Sequence, residues 1–589
     1  MNTFTKLSAK TKSCVPILST SLLALLVLAC SQSNLRSHQQ LRKHSPQSTQ
    51  DVGVIVQSVS EQKVIQILAQ NPKAKARIIN SKHGIYEIYQ MDSSALKAKL
   101  PHAKMAKNRF FRAFENNAQP PLAEQLEILA SPEVGAGEKL EQCVKDLETP
   151  TARVEEPSST EDVSDKIMNL GDELTLTSKK SAPHPDHPSK LKVGWVVRAP
   201  VGSQLGQQVF FADSINYRPD AYGMYSLLLV VQDERKVCAV QDFVFMVTGN
   251  KDFVGKDVNM DDILKQFDRK EFTHLLEVKA DEAQQLSKGE GVVIGVIDTG
   301  VNYNHAALTK NIWVNKREIP KNGLDDDSNG YVDDIVGYDF VNDDGSPYDD
   351  QGHGSHVAGL AASSFFGLAP KAQIMSLKAL SPIGGDVASI VGAIYYAIDN
   401  GAQVLNMSFG NRGAPHPLLV EALDYSESKG VVVLAAAGNG DLILGTGLNT
   451  DQFTHSPSTL PHDNMIVVAA KDTKSMLLAP YSNYGVQTVD IAAPGGNAPE
   501  DVIISSFLDN PEGVTFFGMS GTSMAAPIVS GIAALLLSAN PTISAAQVKH
   551  TLMTSGPQIA GLEKLIQSGR YVDAITAVQE AKKLSPSTY

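Results

Sequence analysis

Basic residues are in deficit and nowhere bunched. Against 64 Asp and Glu there are 51 Lys and Arg, for a net charge of −13, and no block of basic residues occurs beyond the extreme N-terminus. A chain held near phosphates is normally basic, so nucleic acid is excluded as the expected partner. Cysteine is scarce as well, with four residues, of which Cys14 and Cys30 fall in the N-terminal segment. The remaining pair, Cys143 and Cys238, either forms a bridge in an oxidising compartment or stays as two buried thiols. Long apolar runs are missing too: beyond the N-terminal segment no stretch reads as able to cross a bilayer. At 589 residues the chain is too long for one core and implies roughly three or four domains.

Residues 1–29 read as an address. Lys6, Lys10 and Lys12 precede an apolar run from Pro16 to Ala29, too short for a stable span and typical of a secretory signal. The run ends Val27-Leu28-Ala29-Cys30, which resembles a bacterial lipobox, in which the cysteine becomes the lipidated first residue. An ordinary signal peptide cut nearby is the alternative. Removing residues 1–29 takes away three Lys and no acid, so the charge falls from −13 to −16. Ser31, by the habit of such lipoproteins, favours the outer membrane of a Gram-negative envelope, periplasmic or surface-facing. Acyl chains at about 0.8 kcal/mol per buried CH2 give a lasting membrane anchor.

Residues 30–50 are polar and read as a tether. Residues 51–115 alternate as strand (Val54–Val56), helix (Glu61–Gln70), strands (Ala76–Asn80 and Gly84–Gln90) and helix (Ser93–Leu100). This small α+β module is weakly similar to the inhibitory propeptides of secreted proteases, and equally readable as a module without that role. A Pro/Gly-rich linker covers 116–139. Residues 140–250 are β-rich, with strands expected at Lys192–Arg198, Gln208–Asp213, Tyr222–Gln232 and Val237–Thr248, in the spacing of a small immunoglobulin-like or PKD-like sandwich. A further linker over 251–270 leads to residues 271–580, and 581–589 form a tail.

The chemistry lies in residues 271–580. Gly291 to Ile297 is a continuous apolar run of the kind buried on both faces of a parallel sheet, and it ends in Asp298-Thr299-Gly300. Gly352-His353-Gly354-Ser355-His356 follows at the start of a helical pattern. The two histidines lack the third ligand and the Glu of a zinc helix. A second buried run, Val431–Ala437, closes in Gly438-Asn439. Gly521-Thr522-Ser523-Met524-Ala525-Ala526-Pro527 then opens an apolar helix, with Ser523 beside its unpaired N–H groups. Each motif alone has a structural use. Together Asp298, His353 and Ser523 supply orienting carboxylate, base and nucleophile, and Asn439 a donor for an oxyanion.

These motifs, with Asn406–Gly410, Tyr481–Gly485 and Asp490–Gly495, resemble those of the subtilisin-like serine proteases, the subtilases. The resemblance implies a doubly wound α/β fold with a mainly parallel sheet. It also implies a serine endopeptidase that needs no cofactor for its chemistry and takes protein or peptide substrates, and the lipobox-like Val27–Cys30 adds the expected lipid anchor at Cys30. Extended substrate would pair with an edge near Ala379–Gly385. Ser408, Phe409 and Gly410 on one side and Ala436 and Gly438 on the other would wall a pocket for a large apolar side chain. The chain departs from the family at His455-Ser456-Pro457-Ser458, where His455 narrows that pocket, favours a polar side chain in it, or rotates away from it.

Between the Asp and His motifs, Asp325, Asp327, Asn329 and Gly330 follow the opening of a calcium loop, with Asp333 beyond them, but position twelve is Val336 and not the closing Glu. A structural calcium ion and a solvated acidic turn are the two readings. About 150 residues separate the propeptide-like module from Glu271, so no maturation site follows from the sequence. A non-enzymatic surface binder on a protease scaffold and a subtilase-type peptide ligase are the alternative functions. The oligomeric state is not legible.

Overall fold

The computed structural model describes, with short gaps, residues 54–113, 166–248 and 269–586. Cys30, Cys143 and the tether lie outside the described residues. Two units separate, one of them formed by the β-rich residues, the other joining the N-terminal module to the C-terminal region across the intervening sequence.

The module runs β1 (Val54–Gln57), α1 (Glu61–Gln70), β2 (Lys75–Asn80), β3 (Ile85–Tyr89), α2 (Ser93–Lys99) and β4 (Lys104–Lys107). Through α2 these are the alternations expected from the sequence, to within a residue or two; β4 is a strand beyond them. The strands form an antiparallel sheet in the order β2-β3-β1-β4. Its pleat divides the apolar residues: Val54 and Val56 pack with Val64 and Ile67 of α1, whereas Ile55, Ile79 and Ile85 join a core of the C-terminal region. A further strand, β5 (Phe110–Ala113), pairs with nothing in the module.

The β-rich unit contains β6 (Lys166–Asn169), β7 (Leu174–Thr177), β8 (Lys192–Arg198), β9 (Gln207–Phe210), β10 (Ser214–Tyr217), β11 (Gly223–Gln232) and β12 (Cys238–Thr248). They form a five-stranded sheet, β6-β12-β11-β8-β9, and a pair, β10-β7. Leu174, Leu176, Ile215 and Tyr217 of the pair share a core with Trp195, Leu227 and Leu229 of the larger sheet. Cys238 is disulfide-bonded.

The C-terminal region is built on seven parallel strands, β13 (Val293–Asp298), β14 (Gly337–Asp339), β15 (Gln373–Lys378), β17 (Val404–Met407), β19 (Val432–Ala436), β21 (Met465–Lys471) and β22 (Ile491–Pro494), ordered β14-β15-β13-β17-β19-β21-β22. The apolar run of β13 is buried on both faces: Ile294 and Val296 enter one core and Val293 and Ile297 the other. Helices α3 (His353–Ala362) and α6 (Thr522–Ala539) contribute to the first core, α4 (Val387–Asp399) and α5 (Pro417–Ser428) to the second. Helix α6 is long and apolar enough to cross a membrane, but most of it is buried in this core. This is an α/β doubly wound fold, as the sequence implies.

Two short strands flank the carboxyl ends of the sheet, β16 (Gly385–Asp386) and β18 (Phe409–Arg412), and β20 (His455–Ser456) pairs with the far end of β18. The module's β5 lies between β16 and β18, antiparallel to both. Phe111 is opposite Gly385 and Phe110 opposite Asp386, while Ala113 is opposite Phe409 and Arg112 opposite Gly410. The edge that β5 occupies, Gly385–Asp386, is the last residue of the span expected to pair with substrate and the one beyond it.

Candidate active site

Asp298 ends β13 at the carboxyl edge of the sheet and is fully buried. Its Oδ1 accepts the Thr299 N–H at 2.8 Å and contacts His353 Nδ1 at 2.7 Å. His353 is the first residue of α3, and the helix start sits directly on the Asp-Thr-Gly turn. A Cβ on Gly354 would lie 2.0 Å from the Gly300 carbonyl oxygen, so only glycine permits this approach.

Asp349, which the sequence reading missed, fixes the two motifs to one another. Its Oδ1 accepts Thr299 Oγ1 (2.8 Å), Gln351 N (3.0 Å) and Gly352 N (2.9 Å), and its Oδ2 accepts Ser355 N (2.7 Å) and Oγ (2.6 Å). Thr299 Oγ1 in turn accepts Gly354 N at 2.9 Å. Burial pushes the Asp349 carboxyl up, against the pull of these donors. In sequence it is one more Asp in a polar loop, and only its five donors set it apart.

Ser523 is the second residue of α6. Pro527, four residues on, has no N–H for the Ser523 carbonyl, and Ser408 Oγ supplies the missing donor at 3.0 Å. Ser523 Oγ donates to the Ser408 carbonyl, also at 3.0 Å. Asn406 Nδ2 bonds Ser408 Oγ at 2.9 Å, and Ser530 Oγ bonds Asn406 Oδ1 at 2.8 Å, so the helix start is locked to the β17–β18 junction.

Asn439 follows β19. Its Oδ1 accepts both Thr522 N (2.9 Å) and Thr522 Oγ1 (2.8 Å), which orients the carboxamide with Nδ2 as the end turned from Thr522. Nδ2 comes within 3.0 Å of the place a Cβ on Gly521 would occupy, which puts this donor beside the residues that precede Ser523.

The predicted pocket residues fall around this group. Ser408, Phe409, Ala436 and Gly438 are at the strand ends just described, with Gly410 paired to β5. His455 is buried against Gly438, its ring atoms 3.0 Å from where a Cβ there would stand, and its Nδ1 contacts Ser458 Oγ at 2.8 Å. The ring therefore packs directly against Gly438. Burial pushes its pKa down to about 4.

His356 is turned away from the cleft. Its Nε2 lies 3.0 Å from the carbonyl oxygens of Ile503 and Phe517, pinning the strand pair 503–506 and 516–519. Burial, then the neighbouring His353, push it down to about 3, and burial pushes His274 down to about 4. With His455 these rings are neutral when folded and bind protons more readily unfolded, so stability is complete above about pH 6.5 and falls as pH drops toward 4. Each ring contributes about 1.4 kcal/mol per pH unit in that window. The urea midpoint of the Ser523→Ala protein, used to prevent autolysis, should drop steeply between pH 6.5 and 4. A flat midpoint across that range would contradict the burial argument.

The acidic loop brings together Asp325, Asp327 and Glu318, whose oxygens lie within 4.8 Å of one another. Glu318, seven residues before Asp325 in sequence, was not predicted. Its Oε1 accepts Asp326 N at 2.8 Å and Asp327 N at 3.1 Å, while among the described residues its buried Oε2 accepts nothing. Asp333 is directed elsewhere, accepting Asn322 N and Gly323 N at 3.1 and 3.0 Å. Asn329 Oδ1 accepts Tyr331 N at 2.8 Å and its Nδ2 donates to Asp334 at 2.8 Å.

Comparison with known proteins places these residues in a wider set. The profile of the Subtilase family matches residues 289–576. Thermitase of Thermoactinomyces vulgaris is 32% identical over 309 residues, which are 51% of this chain and 94% of thermitase. A thermophilic serine proteinase of Bacillus sp. (strain AK1) is 36% identical, across 49% of this chain and 63% of that protein. Subtilisin-like protease 1 of Plasmodium berghei (strain Anka) is 31% identical, across 51% of this chain and 52% of that protein. The chain thus spans about half of the Plasmodium protein and less than two thirds of the Bacillus one.

Proposed function

The chain belongs to the subtilase family, and we propose on that footing that it is a serine endopeptidase working through Asp298, His353, Ser523 and Asn439. The observation that carries the reading is the carboxylate–imidazole contact of 2.7 Å at full burial, in a cleft already holding an extended strand. Ser523 Oγ attacks the peptide carbonyl as His353 takes its proton. Asn439 Nδ2 and the Ser523 N–H receive the negative charge on the carbonyl oxygen, and the protonated His353 gives its proton to the departing amine. Water then repeats the sequence on the acyl-serine. Asp298 keeps Nδ1 protonated, so that Nε2 faces the nucleophile as base.

Peptide hydrolysis, followed as new amino groups released from an unfolded protein substrate, tests this. Ligation would leave the number of amino groups unchanged. Asn439→Ala should lower kcat by about 10²–10³-fold with KM little altered, the scale known for this donor within the family. Equal kcat in parent and variant would remove Asn439 from the mechanism.

The module's position supports an inhibitory role. Its β5 takes both edges that a substrate would need, so the full chain is latent until β5 leaves. Export and lipidation at Cys30, with an address at the outer membrane, rest on the N-terminal sequence.

Structural calcium fits the acidic loop. A buried carboxylate oxygen without a hydrogen bond is costly, and a hard cation held by Glu318, Asp325 and Asp327 satisfies it. Glu318 thus takes the place of the closing Glu absent from the loop sequence. Saturating calcium should raise Tm by about 5 °C, and Glu318→Gln should abolish the rise. A Tm indifferent to calcium and chelator in the parent would leave the loop as a solvated turn.

A further inference from the structure

The edge strands beside β5 carry charge at their far end. In the sheet β16-β5-β18-β20, Phe110 is opposite Asp386 on one side, and Ala113 and Arg112 are opposite Phe409 and Gly410 on the other. Two residues further along the same antiparallel register, Arg412 of β18 comes level with position 110. Residues level with one another across an antiparallel sheet present their side chains on one face. An extended peptide in this register therefore sets one side chain in a row with Asp386 and Arg412, and His455, opposite Arg412 on its outer side, completes the row. Two of these three groups are already engaged. Asp386, 7% exposed, has the Arg77 guanidinium at 2.9 Å and accepts Ser389 N at 2.8 Å as the cap of α4. His455 is buried, and burial keeps its ring neutral. Arg412 is exposed, and among the described residues no carboxylate pairs with it. Its guanidinium carbon lies 4.9 Å from the centroid of the Phe453 ring, itself 41% exposed, which fixes where the charge stands without neutralising it.

A peptide in this register sets another of its residues level with Ser408, whose carbonyl accepts the Ser523 hydroxyl. The carbonyl of that peptide residue is the one beside the nucleophile. The residue level with Arg412 then lies four places upstream of it, the fifth before the bond that is cut. We propose that Arg412 is a specificity residue, selecting peptide substrates with Asp or Glu at the fifth position before the cut. Strands about 4.8 Å apart bring opposite side chains within reach of one another, and a carboxylate there meets an exposed cation that has no carboxylate of its own. Lys or Arg at the same position is repelled by Arg412 and finds no open anion across the row, because Asp386 is held by Arg77 and by the start of α4. The neighbouring peptide positions put their side chains on the other face and do not feel this charge directly. This rests on the endopeptidase reading and names a substrate class for it.

In the full chain β5 occupies the edge, so the charge at Arg412 can be read with no activity at all. In the Ser523→Ala background, Phe110→Glu and Phe110→Lys are each made with Arg412 kept and with Arg412→Glu. Amide hydrogen exchange across 409–412 then reports how often β5 leaves the edge. With Arg412, exchange should be about fivefold slower for Phe110→Glu than for Phe110→Lys, and with Arg412→Glu the order should invert. Loss of Phe110 is common to both members of each comparison, so the difference isolates charge. The same order in both backgrounds overturns the proposal. A second arm uses the full chain with Arg112→Pro, since proline cannot keep its place in a strand paired on both sides and so opens the edge. It is offered a mixture of two peptides that differ only by Glu or Lys at the fifth position before the cut, with product masses locating the bond. The Glu peptide should be consumed about fivefold faster, and the Lys peptide faster once Arg412→Glu is added. This ratio does not depend on how much of the protein is active. Moving the pair one residue toward the cut should erase the preference, and a ratio that Arg412→Glu leaves unchanged overturns the proposal. Failure to cut either peptide while the exchange order inverts defeats the endopeptidase reading, and not the placement of Arg412 beside the edge.

Discussion

Ser523→Ala is expected to lower kcat for peptide hydrolysis by about 10⁶-fold, the magnitude typical of a triad serine in this family, with KM nearly unchanged. The substitution removes one oxygen atom. It costs the bond from Ser523 Oγ to the Ser408 carbonyl, while the bond from Ser408 Oγ to the Ser523 backbone survives. Alanine also suits the second position of a helix, so α6 should form unaltered. The loss then belongs to chemistry alone, because no other hydroxyl takes over: Ser408 Oγ is committed to the Ser523 carbonyl, and Thr522 Oγ1 to Asn439. Covalent labelling by a serine-directed fluorophosphonate, read by intact mass on protein freed of its module, should mark the parent and leave the variant unmarked. His353→Ala should cost about as much, and the double variant no more than either, since the two act as one unit. Additive losses, or labelling of the variant, would move the nucleophile elsewhere.

The parts of this site that the sequence discloses are those where a backbone comes so close to another that few residue types fit. Gly354 against the Gly300 carbonyl and Gly438 against Asn483 leave no room for a side chain, so the motifs carrying Asp298, His353 and Asn439 are written in glycine and small residues. The central strands are equally plain, because burial on both faces demands an unbroken apolar run. Partnerships set by the chain's return from a distance leave no such trace. Glu318 belongs with Asp325 and Asp327 only after the loop has folded back, and no spacing rule reaches it. Asp349 resembles its acidic neighbours until its donors are counted. β5 is the clearest case: four residues in a polar setting, whose strand character comes entirely from Gly385, Asp386, Phe409 and Gly410, some three hundred residues on. The sequence separation between the module and Glu271 is bridged by the fold. The module and the catalytic region form one unit, although the β-rich residues stand between them.

Asp298→Asn should reduce kcat by about 10⁴-fold while the protein folds and binds peptide as before. Oδ1 of Asp298 serves two donors, the Thr299 N–H and the ring nitrogen Nδ1 of His353. An asparagine of the same shape can keep only part of this. If its oxygen stays on Thr299 and its amide nitrogen turns to the ring, Nδ1 must become the acceptor and the proton moves to Nε2, which leaves no base facing Ser523. If its oxygen serves both donors, the tautomer is kept but the counter-charge is gone. The imidazolium formed during attack then sits fully buried beside a neutral amide. Either way the penalty falls on the transition state and not on the bound peptide, so kcat and kcat/KM should drop together. Ser523 keeps its place, because its bonds to Ser408 do not pass through the ring. Equal loss through KM alone, with kcat retained, would mean that Asp298 shapes the cleft and does not orient the base.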